Sequence, residues 1–343
     1  MPTLTNSSSI EARSVPIDWH PGLSIYASQP FLKSVGDDYG WLGGFDDTGK
    51  QRCLLPYTIV RKTVLRLVRF RVETIALDGG FSIAEEKAFL TSAMECFRTM
   101  GADLVIPATT NTIFRTYPDG ATAAPYGSYV VDLTQTEETL WNKVHSKHRN
   151  VIRNAQKKGV IVREDPGALD AAYELIKQTQ ARSKLGFMSL DAFRQSVAAL
   201  GPHVKILVAV HEGVTQGCAV IPFSNHRAYY LYGGSIPGPL SGAMNFLQWE
   251  AIRLFKAAGV EGYDFVGVRI NPDRESKQYG LLMFKERFGG RLLQGYIWKY
   301  PIRPLKFGLY NLAARLRTGG DIVDREKHKL ANYSPSNADV LPE

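Results

Sequence analysis

Residues 129–299 carry the pattern that most constrains the fold of this chain. Apolar periodicity and glycine stops predict a strand, a long helix, a strand, two helices, a meander of three strands, and then helix, strand, helix and strand. The predicted ranges are Tyr129–Leu133, Thr136–Lys158, Val160–Arg163, Ala168–Arg182, Asp191–Leu200, Val204–Val210, Cys218–Phe223, Arg227–Gly233, Met244–Ala258, Gly262–Val266, Glu275–Phe288 and Leu292–Lys299. An antiparallel meander followed by a helix and a further strand indicates a mixed sheet flanked by helices, in the α+β class.

This element order is similar to that of the GCN5-related acetyltransferase fold, whose cleft between two parting strands holds an activated acyl group beside an amine. With 343 residues the chain has room for two domains. Strand patterns within Trp41–Leu77 and a helix near Ala84–Met100 predict a second α/β unit. We therefore expect two such domains, each a mostly antiparallel sheet with flanking helices. Their predicted extents are 1–128 (completed by about 297–318) and 129–296, followed by a flexible tail over 319–343.

Charge and cysteine content limit the classes of partner and the compartment. Forty-one Lys and Arg against thirty-three Asp and Glu leave a net charge of +8, which favours RNA, a phosphorylated substrate or an acidic membrane surface without choosing among them. No apolar run is long enough to span a bilayer, and the first residues lack a signal-peptide pattern. The three cysteines, Cys53, Cys96 and Cys218, are few and far apart, which predicts a reducing, cytoplasmic location.

Four segments resemble the Fem family (FemABX-like) of peptidoglycan bridge-forming aminoacyltransferases, which consist of two acetyltransferase-like domains. They are His145–Val160 (HSKHRNVIRNAQKKGV), Tyr229–Ser235 (YYLYGGS), Tyr263–Val268 (YDFVGV) and Tyr279–Gly290 (YGLLMFKERFGG). The resemblance covers roughly residues 125–300. It implies transfer of an amino acid from aminoacyl-tRNA to an amine on a cell-envelope precursor, with no metal, no cofactor and no covalent enzyme intermediate.

Phe284 and Lys285 are the predicted catalytic residues. Attack of an amine on an ester or thioester creates a tetrahedral intermediate with a negatively charged oxygen, and a fixed cation beside that oxygen stabilises it. The resemblance assigns this part to Lys285, with Phe284 packed beside it. The alternative is an ordinary amphipathic helix with Lys285 solvated and Phe284 in the core.

Tyr230, Tyr232 and Asp264 are predicted to line the substrate side of the cleft. Side chains alternate along a strand, so the two tyrosines are expected on one face of one strand. The resemblance implies that tyrosines at this strand line the acceptor pocket; an aromatic core is the alternative. Asp264 is predicted to orient the substrate or accept a proton, unless it caps the end of its strand.

A basic helix is the predicted nucleic-acid contact. The segment Trp141–Arg163 holds seven Lys and Arg and no acid. Arg149, Arg153 and Lys157 are spaced by four and so share one helical face. Such a face suits contacts to the phosphates of tRNA or of a diphosphate substrate, which do not depend on base sequence. A merely solvated face is the alternative.

The glycine-rich segment Ser235–Asn245 (SIPGPLSGAMN) bears on the donor. In acetyltransferases this junction holds the coenzyme A pyrophosphate on backbone N–H groups at a helix N-terminus. Here the usual signature is missing, and two prolines remove two donors. The segment therefore favours aminoacyl-tRNA over acyl-CoA as the donor. His145 and His148 have no acidic or thiol neighbours in sequence, so no metal site is predicted.

Two further segments concern the acceptor and the membrane. Gly186–Phe193 lacks the arginine that the peptide-precursor enzymes of the family use, together with a tyrosine, to bind a nucleotide diphosphate, and Phe193 lies near the position of that tyrosine. A lipid-linked precursor or another amine is therefore open. Pro304–Arg317 is an amphipathic helix that either touches the inner membrane face peripherally or packs on the first domain. Two rival functions remain at this stage: an acyl-CoA-dependent N-acyltransferase acting on an amino sugar or other envelope amine, and a non-enzymatic RNA- or membrane-binding module.

Overall fold

The computed structural model describes residues 10–333, which fold into two compact units. The first unit takes its described residues from Met1–Trp19, Tyr26–Gly127 and Leu293–Glu343, and the second from His20–Ile25 and Ser128–Leu292. The chain passes from one unit to the other inside two strands, Thr122–Asp132 and Arg291–Lys299.

The first unit is built on a mostly antiparallel sheet covered by a long helix. Its N-terminal elements are β1 (Glu11–Val15), α1 (Gln29–Val35), β2 (Asp38–Phe45), β3 (Gln51–Lys62), β4 (Leu65–Phe70), β5 (Ile75–Ala76), α2 (Ile83–Thr99), β6 (Leu104–Val105) and β7 (Thr122–Asp132). The strand order is β1–β2–β3–β4–β6, with β5 also paired to β3 and with β4 and β6 parallel. Helix α2 begins with a capping box between Ser82 and Glu85 and buries its apolar face in the core.

The second unit contains the motifs. Its elements are α3 (Glu137–Lys143), α4 (Ser146–Lys157), β8 (Ile161–Glu164), α5 (Leu169–Arg182), α6 (Leu190–Ala198), β9 (Val204–His211), β10 (Val214–Pro222), β11 (Arg227–Tyr229), β12 (Tyr232–Ser235), α7 (Ala243–Ala257), β13 (Gly262–Asp264), β14 (Val268–Arg269) and α8 (Lys277–Glu286). One antiparallel sheet has the order β12–β10–β9–β8. The other has the order β11–β13–β7–β14, with β15 (Arg291–Lys299) also paired to β7.

A hydrophobic core covers each face of the sheet formed by β8, β9, β10 and β12. This explains why its strands are nearly continuous apolar runs. Ile206 and Val208 of β9 face a core formed with α5 and α6. The residues between and after them, Leu207 and Ala209, face the core that α4 and α7 share with the other sheet. Alternation along a strand therefore supplies two cores from one apolar run.

The predicted strand Arg227–Gly233 is divided between the two sheets. Strand β11 runs parallel to β13, whereas β12 runs antiparallel to β10. The Tyr230 N–H still donates to the Asp264 carbonyl at 2.8 Å, and the chain then leaves β13 to follow β10. The two strands part at this point, so the single predicted strand was wrong while the splayed cleft is present as expected for the fold.

The predicted helix Thr136–Lys158 is likewise two helices. Val144 has an extended backbone, and the His145 side chain caps α4 by accepting from the Lys147 N–H at 3.1 Å. The Arg149 guanidinium donates to carbonyl oxygens at the end of α3. These two side chains satisfy the backbone groups that the break exposes.

The C-terminal elements return to the first unit. They are the end of β15, α9 (Pro304–Thr318), α10 (Ile322–Glu326) and a 3-10 turn at Lys327–Asn332. The prediction of a flexible tail from residue 319 is wrong over 319–333, because the buried Lys299 ammonium pairs with Asp321 and Asp324, and Val323 is fully buried. Residues 334–343 lie outside the described part. At the other end, the polar segment before residue 15 forms β1 from Glu11 onward.

Helix α9 leaves its apolar face uncovered. Its four leucines, Leu305, Leu309, Leu312 and Leu316, are between 56% and 88% exposed. The opposite face contacts the fold, through Asn311 and the Phe307 ring near the Lys299 ammonium. Of the two alternatives for this helix, packing on the first domain is therefore present, but it uses the opposite face and leaves the leucines uncovered. Within residues 10–333 no helix has the length and apolar character needed to cross a membrane.

Candidate functional site

Helix α8 presents the predicted catalytic pair. Its first turn is capped by Ser276, whose hydroxyl accepts from the Tyr279 N–H. Its end is fixed by Phe288, which is 1% exposed, and by Gly289, whose φ of +77° favours glycine. A side chain at Gly289 would also collide with the Lys143 backbone. The Phe-Gly of the motif thus sets the axial position of Lys285 one turn earlier.

Lys285 is held against the backbone where β13 ends. Its ammonium donates to the carbonyl oxygen of Val266 and, at 2.8 Å, to that of Gly267. Both residues have left-handed backbones, with φ of 42° and 44°. That conformation is costly for a β-branched residue such as Val266, and strained backbone of this kind concentrates at functional sites. This turn directs the carbonyl oxygens of Val266 and Gly267 toward the Lys285 ammonium.

The surroundings of Lys285 affect both its pKa and the number of its N–H donors that are already in use. Burial lowers the pKa of the Lys285 ammonium to about 8, with the Asp264 carboxylate acting in the opposite direction. An ammonium has three N–H donors, and the two backbone carbonyls take two of them. Within residues 10–333 these are the two acceptors that Lys285 contacts, which leaves one of its three donors.

Asp264 stands behind this turn and not in an open cleft. It is 1% exposed, and its carboxylate accepts from the Ser128 hydroxyl and from the Val266 N–H at 2.7 Å. It also pairs with the buried Arg227 guanidinium at 3.4 Å. These contacts match the alternative expectation for Asp264, a cap at the end of its strand, where it fixes the Val266 turn that holds Lys285.

Phe284 packs in a group that the sequence did not identify as part of the site. Its ring lies 5.5 Å from the His148 ring and 5.3 Å from Phe288, measured between centroids. The His148 Nε2 donates to the Phe284 carbonyl at 3.0 Å, because a carbonyl can only accept. Burial lowers the pKa of His148. The sequence offers one signal for His148, its place in the segment His145–Val160 that resembles the Fem family.

The two predicted pocket tyrosines do not share a face. Tyr230 lies at the strand break and packs on the Phe265 ring at 6.3 Å, while Tyr232 packs on Phe187 and Phe193 in the separate α5–α6 core. Burial raises the pKa of the Tyr230 phenol, which stays neutral. Of the two, Tyr230 is the one beside the Asp264–Lys285 turn.

The two glycines of YYLYGGS have separate steric roles. A side chain at Gly233 would collide with the Tyr230 hydroxyl. A Cβ at Gly234 would lie 2.5 Å from the Ile176 nitrogen, so helix α5 packs directly on this strand. The two glycines of the motif therefore leave room for the Tyr230 side chain and for helix α5.

The predicted basic face is only partly available. The Arg149 Nη1 is committed to the end of α3, with its shortest contact 2.8 Å from the Asn142 carbonyl. Arg153 is exposed and lies over the Trp141 ring at 5.4 Å, and Lys157 is exposed in the last turn of α4. The shared face of Arg149, Arg153 and Lys157 is thus reduced to two cations open to a phosphate.

The glycine-rich junction brings a helix backbone against α7. Gly242 caps α7 with φ of +87°, and a side chain there would collide with the Val151 carbonyl oxygen of α4. The Ala243 N–H donates to the Leu240 carbonyl at 2.9 Å. An acceptor oxygen therefore faces the first turn of α7, where an anion would need donors.

At the aromatic position of Gly186–Phe193, Phe193 has no polar group that could recognise a nucleotide. Phe193 is fully buried and packs on the Tyr173 and Phe187 rings. Tyr173 donates its hydroxyl to the Met188 carbonyl at 3.0 Å. The segment Gly186–Phe193 therefore contributes side chains to the hydrophobic core around α5 and α6.

Sequence comparison connects this chain with transferases of known name. It is 35% identical over 122 residues to "Lipid II:glycine glycyltransferase" of Staphylococcus haemolyticus (strain JCSC1435), which is 35% of this chain and 29% of that protein. The protein of the same name from Staphylococcus aureus is 31% identical over 100 residues, or 27% and 24% of the two chains. The chain thus matches less than a third of the length of either relative.

Structural comparison extends the likeness to most of the chain. A crystal structure of FemX is similar with a TM-score of 0.58 and 15% identity, over 86% of this chain and 95% of that one. The C-terminal domain (DUF2156) of a lysylphosphatidylglycerol synthetase from Agrobacterium fabrum gives a TM-score of 0.53 and 16% identity, over 85% and 92%. At these identities the likeness concerns the fold, and it confirms the predicted α+β class.

The family model of FemAB matches residues 116–212 and 216–315, which together are more than half of the chain. The matched region contains α8, the Val266 turn and the strand break at Tyr230. The resemblance inferred from the four segments is confirmed. This chain belongs to the FemAB family.

Proposed function

We propose that this protein is an aminoacyltransferase that moves an amino acid from aminoacyl-tRNA to an amine on a lipid-linked cell-envelope precursor. The observation that carries the proposal is Lys285, whose ammonium is fixed by the Val266 and Gly267 carbonyls at the point where β11–β12 and β13 part. The names of the relatives, which are glycyltransferases of lipid II, support an amino acid as the transferred group and a lipid-linked acceptor.

The proposed reaction needs few protein groups because the donor is already activated. The acceptor amine attacks the ester carbon, a C–N bond forms, and the negative charge moves to the former carbonyl oxygen. The third N–H of Lys285 stabilises that charge. When the intermediate collapses, the bond from carbon to the ribose oxygen breaks, and the proton lost by the amine balances the new ribose hydroxyl. The contacts of His148 with Phe284 hold helix α8, and with it Lys285, in position for this step.

The junction at Gly242 supports tRNA over coenzyme A as the donor. The Val151 carbonyl lies against the first turn of α7, in the place where acetyltransferases hold a pyrophosphate. A carbonyl oxygen repels a phosphate. Because this oxygen belongs to the backbone, it is present whichever side chain stands at position 151. Arg153 and Lys157 remain exposed on α4 for contacts to the phosphates of RNA.

The acceptor class rests on two observations. Burial of Phe193 removes the aromatic position at which the family binds a nucleotide diphosphate, which argues against a UDP-linked peptide. The named relatives act on lipid II, an acceptor that resides in a membrane. We accordingly propose that the protein works peripherally at the inner face of the membrane.

A donor-exchange experiment tests the proposal. The full chain is incubated with a lipid-linked muropeptide and either radiolabelled aminoacyl-tRNA or radiolabelled acyl-CoA, and label in the lipid fraction is measured. Transfer from tRNA alone is expected, with Lys285→Gln about 10²–10³ slower. Lys277→Gln, an exposed lysine at the start of the same helix, is the matched control and should retain activity. Transfer from acyl-CoA alone would establish the N-acyltransferase instead, and transfer from neither would favour a binding module.

A further inference from the structure

The uncovered face of helix α9 is a surface patch that the proposed chemistry does not use. Its leucines Leu305, Leu309, Leu312 and Leu316 are spaced by four, three and four residues, so they fall in an arc about 60° wide along the whole helix. They are 88%, 64%, 56% and 80% exposed. Isolated exposed leucines are ordinary, but an aligned row is typical of an interaction surface.

The charges that helix α9 itself adds around this row have one sign. Helix α9 contains three cations and no acid. Its helical spacing puts Arg315 on one flank of the leucines and Lys306 on the other. The acid that Lys306 contacts, Asp103, has a side chain only 2% exposed and presents no carboxylate at the surface.

A hairpin tip extends the patch beside the first turn of α9. The Lys306 Nζ donates to the Val64 carbonyl at 3.2 Å, which fixes the tip next to the helix. Val64 is 72% exposed, and the preceding Arg61 and Lys62 are exposed as well. A second element thus adds an apolar side chain and two cations to the same surface, together with one acid, the exposed Asp37, whose carboxylate accepts from the Arg61 N–H at 2.7 Å.

We propose that this patch, formed by α9 and the Arg61–Val64 tip, docks the protein on an anionic lipid bilayer with α9 lying in the interface. A narrow apolar face flanked by cations is the pattern of helices that lie in a membrane surface. Charge complementarity selects anionic lipid as the occupant. The inference does not depend on the transfer reaction, because none of these residues belongs to the Lys285 site.

Vesicle flotation tests the docking. The full chain is mixed with vesicles of phosphatidylglycerol and phosphatidylcholine in equal parts, or of phosphatidylcholine alone. We expect binding to the anionic vesicles, weakened about a hundredfold by Leu309→Ser with Leu312→Ser. Arg315→Gln should weaken it about fivefold. Leu185→Ser, at a leucine 57% exposed in the second unit, is the matched control and should bind normally.

Four results would overturn the proposal. They are unchanged binding by the double variant, equal binding of the wild type to both vesicles, a dimer that the double variant dissociates without any vesicle binding, and binding gained only when residues 334–343 are removed. The last two would assign the leucines to a second copy or to the chain's own end. Thermal denaturation of each variant checks the fold, and transfer to a water-soluble amine acceptor should be unaffected, so the two proposals fail separately.

Discussion

The pH dependence of transfer separates two roles for Lys285. Its pKa of about 8 lies in an accessible range, because burial disfavours the ammonium. At pH 7 about nine-tenths of the lysine is charged, and at pH 9 about one-tenth. If the charged form stabilises the oxyanion, its contribution is about 3–4 kcal/mol at pH 7, and the rate advantage that it provides falls about tenfold by pH 9.

The assay measures single-turnover transfer by the wild type and by Lys285→Gln across this range. The acceptor amine also titrates and raises the rate of both proteins with pH, so the informative quantity is the ratio of the two rates. We expect that ratio to fall about tenfold between pH 7 and pH 9. The ratio for Lys277→Gln should stay flat. A ratio for Lys285→Gln that rises through pH 8 would refute the reasoning, since it would mean that the neutral amine acts as a base.

Three further predictions address the supports of the site. Gly234→Ala should cost about 1–3 kcal/mol of unfolding free energy because helix α5 must move, whereas Gly186→Ala, with nothing near its Cβ, should cost little; denaturant midpoints compare them. Asp264→Asn should destabilise the fold by about 3 kcal/mol, because it leaves a buried guanidinium without its carboxylate, and equal melting temperatures would contradict this. Arg149→Ala should lower stability by about 1–2 kcal/mol with little change in tRNA affinity, while Arg153→Ala should do the reverse in filter binding.

The sequence predicts most helices and strands of the second unit because their periodicities are local. Helices α5 and α7 lie within two residues of the expected ranges. The break between α3 and α4 could not be predicted, since no glycine or proline marks it. It depends on the Arg149 side chain reaching the end of the preceding helix. The strand break at Tyr230 depends on which of two partner strands the backbone joins, a choice made by residues distant in sequence.

For the candidate site, the sequence indicates Lys285 as the central residue but says less about its surroundings. Lys285 follows from a motif whose parts all lie within one helix and its end. The buried partners of Asp264, which are Ser128 and Arg227, come from strands more than thirty residues earlier in the chain, so the sequence could not distinguish a substrate group from a support. Likewise, leucine spacing identifies α9 as amphipathic, but only tertiary packing determines which of its faces is covered.

If the donor is aminoacyl-tRNA as proposed, the contact between Gly242 and the Val151 carbonyl limits how the donor can change. Specificity set by side chains can drift through single substitutions, but the obstructing oxygen is common to every residue that position 151 can hold. A route to a nucleotide-linked donor would require α4 itself to shift, and with it the His148 contact to the carbonyl of Phe284. Under the proposed function, the choice of donor and the position of Lys285 are therefore coupled through α4, and directed evolution toward a new donor should recover insertions or deletions around α4 more readily than point substitutions.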